Sequence, residues 1–204
     1  MELVGKLESW KGKAESLLNF LTNRPTDQLT NIGGKVTELL KSYCVFCKTG
    51  SEKAVAQSVN TIDNRINAIA PVCTLQEKHQ GKWEQREHIL LPGYVFLYAE
   101  EEIQVKLRAE VLDLYKVLGY GTGLRELYGM DYEYSMWIYR HQGSITTSKV
   151  LTEGRSVRVV DGPLLDGFGT IVRLDKHKRR VWIEFEFDGQ KRLVSLSAEC
   201  VSVE

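Results

Sequence analysis

The stretch Tyr43-Cys44-Val45-Phe46-Cys47-Lys48 marks where the chain stops reading as helix and starts reading as strand. Upstream, Leu3, Leu7, Trp10, Ala14, Leu17 and Leu21 recur at spacings of three and four, one apolar stripe of an amphipathic helix. Asn23-Arg24-Pro25 stops it, and Gly33-Gly34 precedes a short run at Val36, Leu39 and Leu40. Residues 1–42 therefore read as a helical extension whose stripe packs on this chain's own core or on a partner. Downstream, Thr49 and Glu52 stand at capping-box spacing, and Val55, Val59, Ile62, Ile66 and Ile69 predict a helix that Pro71 ends. Residues 72–99 read as two strands joined at Gly81, the second carrying Leu90-Leu91-Pro92-Gly93-Tyr94-Val95-Phe96-Leu97. A helical segment from about Glu102, a strand over 114–121 and a helix over 124–139 follow. This order predicts an α+β sandwich with a mainly antiparallel sheet over 43–141. A polar linker is expected over 142–153.

Beyond residue 150 the period is two. Strands are expected at 156–160, 168–174, 180–187, 192–196 and 200–203, separated by turn sequences such as Asp161-Gly162-Pro163, Asp166-Gly167 and Asp188-Gly189. Val181, Ile183, Phe185 and Phe187 share one face of the third, and Trp182, Glu184 and Glu186 the other. Five short strands in so few residues predict a small closed β-barrel over 154–204.

Composition bounds the function. The 204 residues carry 27 basic and 27 acidic side chains, so net charge is zero and a uniformly cationic nucleic-acid coat is excluded. With 43% hydrophobic and 26% charged residues the chain reads as globular, and it has no apolar run long enough to span a bilayer. The N-terminus lacks a signal-peptide core, and four cysteines do not make a disulfide scaffold, so a cytoplasmic protein is expected.

Enzyme chemistry finds no support. Cys44 and Cys47 form a Cys-x-x-Cys, but on a strand residues three apart face opposite ways, and His79, His88, His141 and His177 show no ligand spacing. No metal or cofactor is expected. Gly119, Gly121 and Gly123 miss the dinucleotide fingerprint because position 124 is leucine. No serine or cysteine lies in a nucleophile signature.

Two surfaces remain. One is the turn Lys176-His177-Lys178-Arg179-Arg180, with Arg173 just before it, where several cations project from one edge. Phosphate binding depends on such local density, although a solvated turn has the same composition. The other is the strand after Pro92-Gly93, apolar almost throughout, so that both faces are buried or one is held for a partner.

The same stretches resemble a known family. Residues 43–50 followed by Glu52, then Leu91-Pro92-Gly93-Tyr94-Val95-Phe96-Leu97 and Val117-Leu118-Gly119-Tyr120-Gly121, resemble the N-terminal (NGN) domain of NusG-type transcription elongation factors. Residues 154–203 resemble the SH3-like KOW barrel that follows it. Within the family, Gly162-Pro163-Leu164 and the Asp175–Arg180 hairpin are most similar to the specialised LoaP paralogs. The resemblance implies an NGN domain docked on the clamp helices of the largest subunit of bacterial RNA polymerase, with Leu91, Pro92 and Tyr94 in the docking depression. It implies antitermination in specific operons, and contact with an RNA hairpin of the nascent leader through Lys176, His177, Lys178, Arg179 and Arg180. A monomer, no membrane and no catalysis are expected. Two departures stand out: Ser42 replaces a family tryptophan, and Leu91 a phenylalanine. A general NusG-like elongation factor and a polymerase-independent, ribosome-associated KOW protein are the alternatives.

Overall fold

The computed structural model of the chain describes residues 40–103, 107–121, 123–153 and 156–201. The expected helical extension lies almost wholly outside the described residues. The elements are β1 (Lys41–Cys47), α1 (Glu52–Ile62), β2 (Asn67–Ile69), β3 (Val72–His79), β4 (Lys82–Ile89), β5 (Tyr94–Ala99), α2 (Leu107–Glu110), β6 (Leu114–Val117) and α3 (Gly129–Arg140). They are followed by β7 (Ser144–Ile145), β8 (Ser148–Glu153), β9 (Ser156–Asp161), a 3-10 turn (Pro163–Asp166), β10 (Thr170–Asp175), β11 (Arg180–Phe187) and β12 (Gln190–Val201). The protein is mixed α/β and mostly strand.

A four-stranded sheet ordered β2-β5-β1-β6 is antiparallel throughout. Its central strand β5 is buried at all six positions. The period-two alternation sends Val95, Leu97 and Ala99 to one face, where they join Val55 and Val59 of α1 and Leu107 of α2. Tyr94, Phe96 and Tyr98 point to the other face, where they meet α3 and the C-terminal strands. β1 is divided in the same way, with Cys44 in one cluster and Cys47 in the other. A three-stranded sheet β4-β3-β7 flanks this layer, and a five-stranded sheet β10-β11-β12-β8-β9 forms the C-terminal unit.

Several expected boundaries move, each for a local reason. The helix expected to run to Ile69 stops at Ile62, because the Asp63 carboxylate accepts from the Arg65 amide (3.1 Å) and guanidinium (2.9 Å) and draws the chain into a turn. Ile66 still reaches the core, and Ile69 lies in β2. Residues 72–99 make three strands, because a turn at Leu91-Pro92-Gly93 separates β4 from β5, with Gly93 at φ +85°. A Cβ at Gly93 would lie 3.0 Å from the Phe46 ring, so only glycine fits this turn without strain. The two last expected strands are one twelve-residue strand, β12, which pairs antiparallel with β11 and parallel with β8. The stretch expected as linker contributes β7 to the flanking sheet and β8 to the C-terminal sheet.

Glu52 holds the start of α1 in an unexpected way. Its side chain is 1% exposed, and its carboxylate accepts from the amides of Gly50 and Gly93, both at 2.8 Å. Thr49 makes no capping contact with it; instead the carboxylate ties the helix N-terminus to the turn before β5. Glu52→Ala leaves two amide donors without this acceptor and is expected to destabilise the fold by about 3 kcal/mol, with Glu52→Gln, which keeps one acceptor oxygen, losing about half as much. Urea unfolding of the two variants measures the difference.

Candidate functional site

The Leu91-Pro92-Gly93 turn delivers Tyr94 onto the face of the four-stranded sheet that α3 also lines. Leu91 and Tyr94 are buried, and Pro92 is exposed. The Tyr94 ring meets Phe46 edge-on at 5.3 Å and Phe187 of β11 at 5.6 Å. Its hydroxyl accepts from the Arg192 guanidinium of β12 at 2.9 Å, and that guanidinium also lies 5.5 Å from the ring centroid. Burial raises the Tyr94 phenol above its ordinary value, and the Arg192 charge opposes the rise. The surface expected to be open for docking is therefore largely covered by the chain's own C-terminal sheet. Phe46 leads outward to Tyr115 (5.8 Å), which is 48% exposed, so the aromatic run reaches solvent at one end.

The α3 helix continues the same face. Asp131, Tyr134, Ile138 and His141 recur at helical spacing toward the C-terminal sheet. Tyr134 stacks on Phe185 at 4.5 Å, and Trp137 on Phe168 at 5.1 Å. The Trp137 indole N–H donates to the Pro163 carbonyl at 3.0 Å. The Asp131 carboxylate accepts from the Tyr120 hydroxyl (2.8 Å) and from the Asp188 amide (2.9 Å) in the β11–β12 turn. Burial pushes the Asp131 carboxyl above its usual range, against the pull of those two donors. Arg140 and His141 both reach the Asp166 carboxylate, at 3.2 and 3.1 Å. Aromatic stacking and a few hydrogen bonds thus join the two units.

The contact is not fully satisfied. The Tyr134 hydroxyl and the Arg192 Nε are buried without hydrogen-bond partners. Each such group costs about 1–3 kcal/mol, which offsets much of what the ring contacts contribute at about 0.5–1.5 kcal/mol per pair beyond their buried area.

The basic turn divides. Lys176, His177 and Lys178 are exposed; Lys176 donates to Thr152 Oγ1 at 2.8 Å. The Lys178 amide donates to the Asp175 carboxylate at 3.0 Å, which holds Asp175 below its ordinary value. Arg179, at φ +52°, and Arg180 turn inward instead. The Arg179 guanidinium lies 4.6 Å over the Trp83 ring of β4. Arg180, its side chain 13% exposed, donates to the Gln76 carbonyl of β3 at 3.2 Å and lies 3.4 Å from Glu77 Oε1. The structure brings three of the five side chains to solvent together and commits two to the β3–β4 hairpin.

Sequence reading does not single out Trp83, Tyr134, Trp137 or Arg192. Each has an ordinary explanation as a core or surface residue, and only the packing of one unit on the other gives it a partner. Cys44 and Cys47 do lie on opposite faces of β1. Among the described residues no group of three or more histidine, cysteine, aspartate or glutamate side chains is placed to hold a metal ion. No helix of the described residues is long and apolar enough to cross a membrane.

Residues 41–126 match the family model described as transcription termination factor nusG. This segment is thus similar to the NusG family. The chain is 29% identical over 173 residues to the transcription termination/antitermination protein NusG of Xylella fastidiosa strain Temecula1, covering 76% of this chain and 94% of that relative. The NusG of strain 9a5c of the same organism matches to the same extent. Among solved structures, one described as domain interaction in Thermotoga maritima NusG aligns with a TM-score of 0.47 at 20% identity, covering 78% of this chain and 93% of that one. The matched segment holds β1 to β6, and so carries Leu91, Pro92 and Tyr94.

The thiols give a chemical check on the packing. Burial pushes Cys47 and Cys73 up to about 11 and Cys44 well above its ordinary value, whereas Cys200 is exposed. A folded pKa raised above the ordinary 9.0 favours the folded state fully below pH 9, and that contribution disappears as pH rises from 9 toward 11. Iodoacetamide at pH 8 is expected to modify Cys200 alone among these four until urea unfolds the chain, as peptide mass spectrometry will show.

Proposed function

We propose that the protein is a bacterial transcription elongation and antitermination factor that binds RNA polymerase through the face carrying Leu91, Pro92 and Tyr94. Its C-terminal unit, a KOW domain in this reading, contacts an RNA hairpin of the nascent leader through Lys176, His177, Lys178, Arg179 and Arg180, as in LoaP-like readthrough of terminators in specific operons. The observation that carries the reading is the aromatic face of β5 and α3, of which β5 lies in the segment that matches the nusG family model, and which, among the described residues, the C-terminal sheet packs against. Tyr94, Tyr134 and Trp137 offer an apolar seat for a helical partner once that sheet moves aside. The N-terminal unit is proposed to span 43–141. The C-terminal unit is proposed to begin at Ser148, where β8 enters its sheet. The protein acts as a cytoplasmic monomer without catalysis or cofactor. The description of the relatives as termination/antitermination proteins favours a second reading, a general NusG-like factor acting at most genes.

Reconstituted transcription through a terminator, with and without the native leader RNA, tests the proposal. Readthrough that requires the leader supports the operon-specific reading, and readthrough independent of it supports the general one. For the docking face, Tyr94→Glu is expected to abolish binding to a polymerase clamp-helix fragment. Arg192→Ala, which frees the Tyr94 hydroxyl from its cover, is expected to strengthen that binding by about tenfold, roughly 1.4 kcal/mol. Equal affinity of wild type and both variants in calorimetry would remove this face from polymerase binding.

For the RNA edge, the doubly substituted Lys176→Ala, Lys178→Ala chain is expected to bind an RNA stem–loop with a shallower salt dependence. The slope should fall by roughly 0.7–0.9 log units for each phosphate that no longer meets a cation. An unchanged slope in fluorescence anisotropy would leave these side chains as a solvated turn.

A further inference from the structure

Arg179 and Arg180 have two roles at once. They belong to the only dense basic turn among the described residues, and they also fasten the C-terminal sheet to the β3–β4 hairpin. The geometry makes these roles exclusive. With its side chain 13% exposed and its Nη2 within 3.2 Å of the Gln76 carbonyl, Arg180 has little room for a phosphate oxygen. The Arg179 guanidinium has one face against the Trp83 indole. Glu77, also bonded to His88 at 3.0 Å, sets a carboxylate beside Arg180 that repels any approaching polyanion. Asp175 lies beneath the same turn, engaged by the Lys178 amide and facing Arg173 at 3.8 Å. In the covered arrangement, therefore, an RNA meets Lys176, His177 and Lys178 of these five, with the exposed Arg173 beside them.

We propose that RNA phosphates and the β3–β4 hairpin compete for Arg179 and Arg180, so that RNA binding and uncovering of the Tyr94 face are positively coupled. This rests on the reading of the turn as an RNA site given above. An RNA that recruits all five side chains must take Arg179 off Trp83 and Arg180 off Gln76 and Glu77. It thereby removes contacts that hold the C-terminal sheet over Tyr94, at the far side of the same interface. A ligand shifts such an equilibrium only by its differential affinity for the two arrangements, and here the difference is two whole guanidinium groups. Reciprocity follows: whatever holds the sheet away from Tyr94 also delivers Arg179 and Arg180 to RNA.

Two variants of the full chain test this with a fluorescein-labelled RNA stem–loop, after circular dichroism has confirmed that each is folded. Trp83→Ala takes away the ring that competes for Arg179. Arg192→Ala loosens the cover beside Tyr94, opposite Phe185 and so five residues along β11 from Arg180, and removes a positive charge. Both are expected to bind the stem–loop about five- to tenfold more tightly than wild type, as expected when the competent arrangement is a minor population. For Arg192→Ala a simple charge effect would act in the opposite direction. Unchanged or weaker binding by both variants, with wild type binding RNA normally, would overturn the coupling. Weaker binding by Trp83→Ala with tighter binding by Arg192→Ala would overturn the competition at Arg179 and make Trp83 a stacking platform for RNA. No binding by wild type or by either variant would instead defeat the RNA reading itself. A second measurement closes the cycle: saturating stem–loop should raise affinity for the clamp-helix fragment by the same factor by which the fragment raises affinity for RNA. A factor of one would overturn the proposal.

Discussion

Strand β5 must bury both of its faces. Its six residues are apolar or aromatic without interruption, and the two helices α1 and α2 can cover only one side. The other side, Tyr94, Phe96 and Tyr98 beside Cys44, needs a second layer. The protein supplies part of it with α3 and the rest with the C-terminal sheet, so the order of the whole chain follows from one strand that cannot be left half wet. The Glu52 carboxylate serves the same requirement from a distance. By taking the Gly93 amide it fixes the turn that sets the register of β5, and hence which residues face which layer.

The second layer is uneven in chemistry. Phe168, Phe185 and Phe187 pack their rings against Tyr134, Trp137, Phe96 and Tyr94, stacked or edge-on. The same interface buries the Tyr134 hydroxyl and the Arg192 Nε without partners, and draws Asp131 into a site where its charge is disfavoured. An interior selected only for permanence would use apolar groups at these positions. Polar groups that give up hydrogen bonds on burial and regain them in water fit a surface that two alternative occupants share. Residues 41–126, which match the nusG family model, include Tyr94.

Much of this is legible in the sequence. The alternation in β1 and β11, the continuous apolar run of β5 and the separate character of residues beyond 150 all follow from periodicity, because side-chain direction in a strand is set by the backbone alone. The boundaries that move are those where one side chain overrides a pattern. Asp63 ends α1 early by bonding to Arg65, and Gly93 breaks an apolar run that reads as unbroken. Local density is enough to find the candidate surfaces, in the Leu91–Tyr94 turn and the Lys176–Arg180 turn. It does not reveal their state, which depends on pairs of residues about a hundred positions apart, Tyr94 with Arg192 and Gln76 with Arg180. No local pattern encodes such pairs. Trp83 shows the limit most plainly: an exposed tryptophan on an edge strand has no meaning until a guanidinium from another sheet lies over it.

The junction between the two units has a consequence of its own. β7 pairs with β3 of the first unit and ends at Ile145, and β8 enters the second unit at Ser148, so only Thr146 and Thr147 lie between them. A cover hinged on two residues cannot diffuse away when it lifts. Its local concentration at the aromatic face stays on the order of millimolar or above whatever the amount of protein in the cell. Any outside partner must therefore outcompete a tethered rival, and dilution gives it no advantage. Occupancy of that face becomes a matter of partner affinity, with the abundance of the protein itself nearly irrelevant.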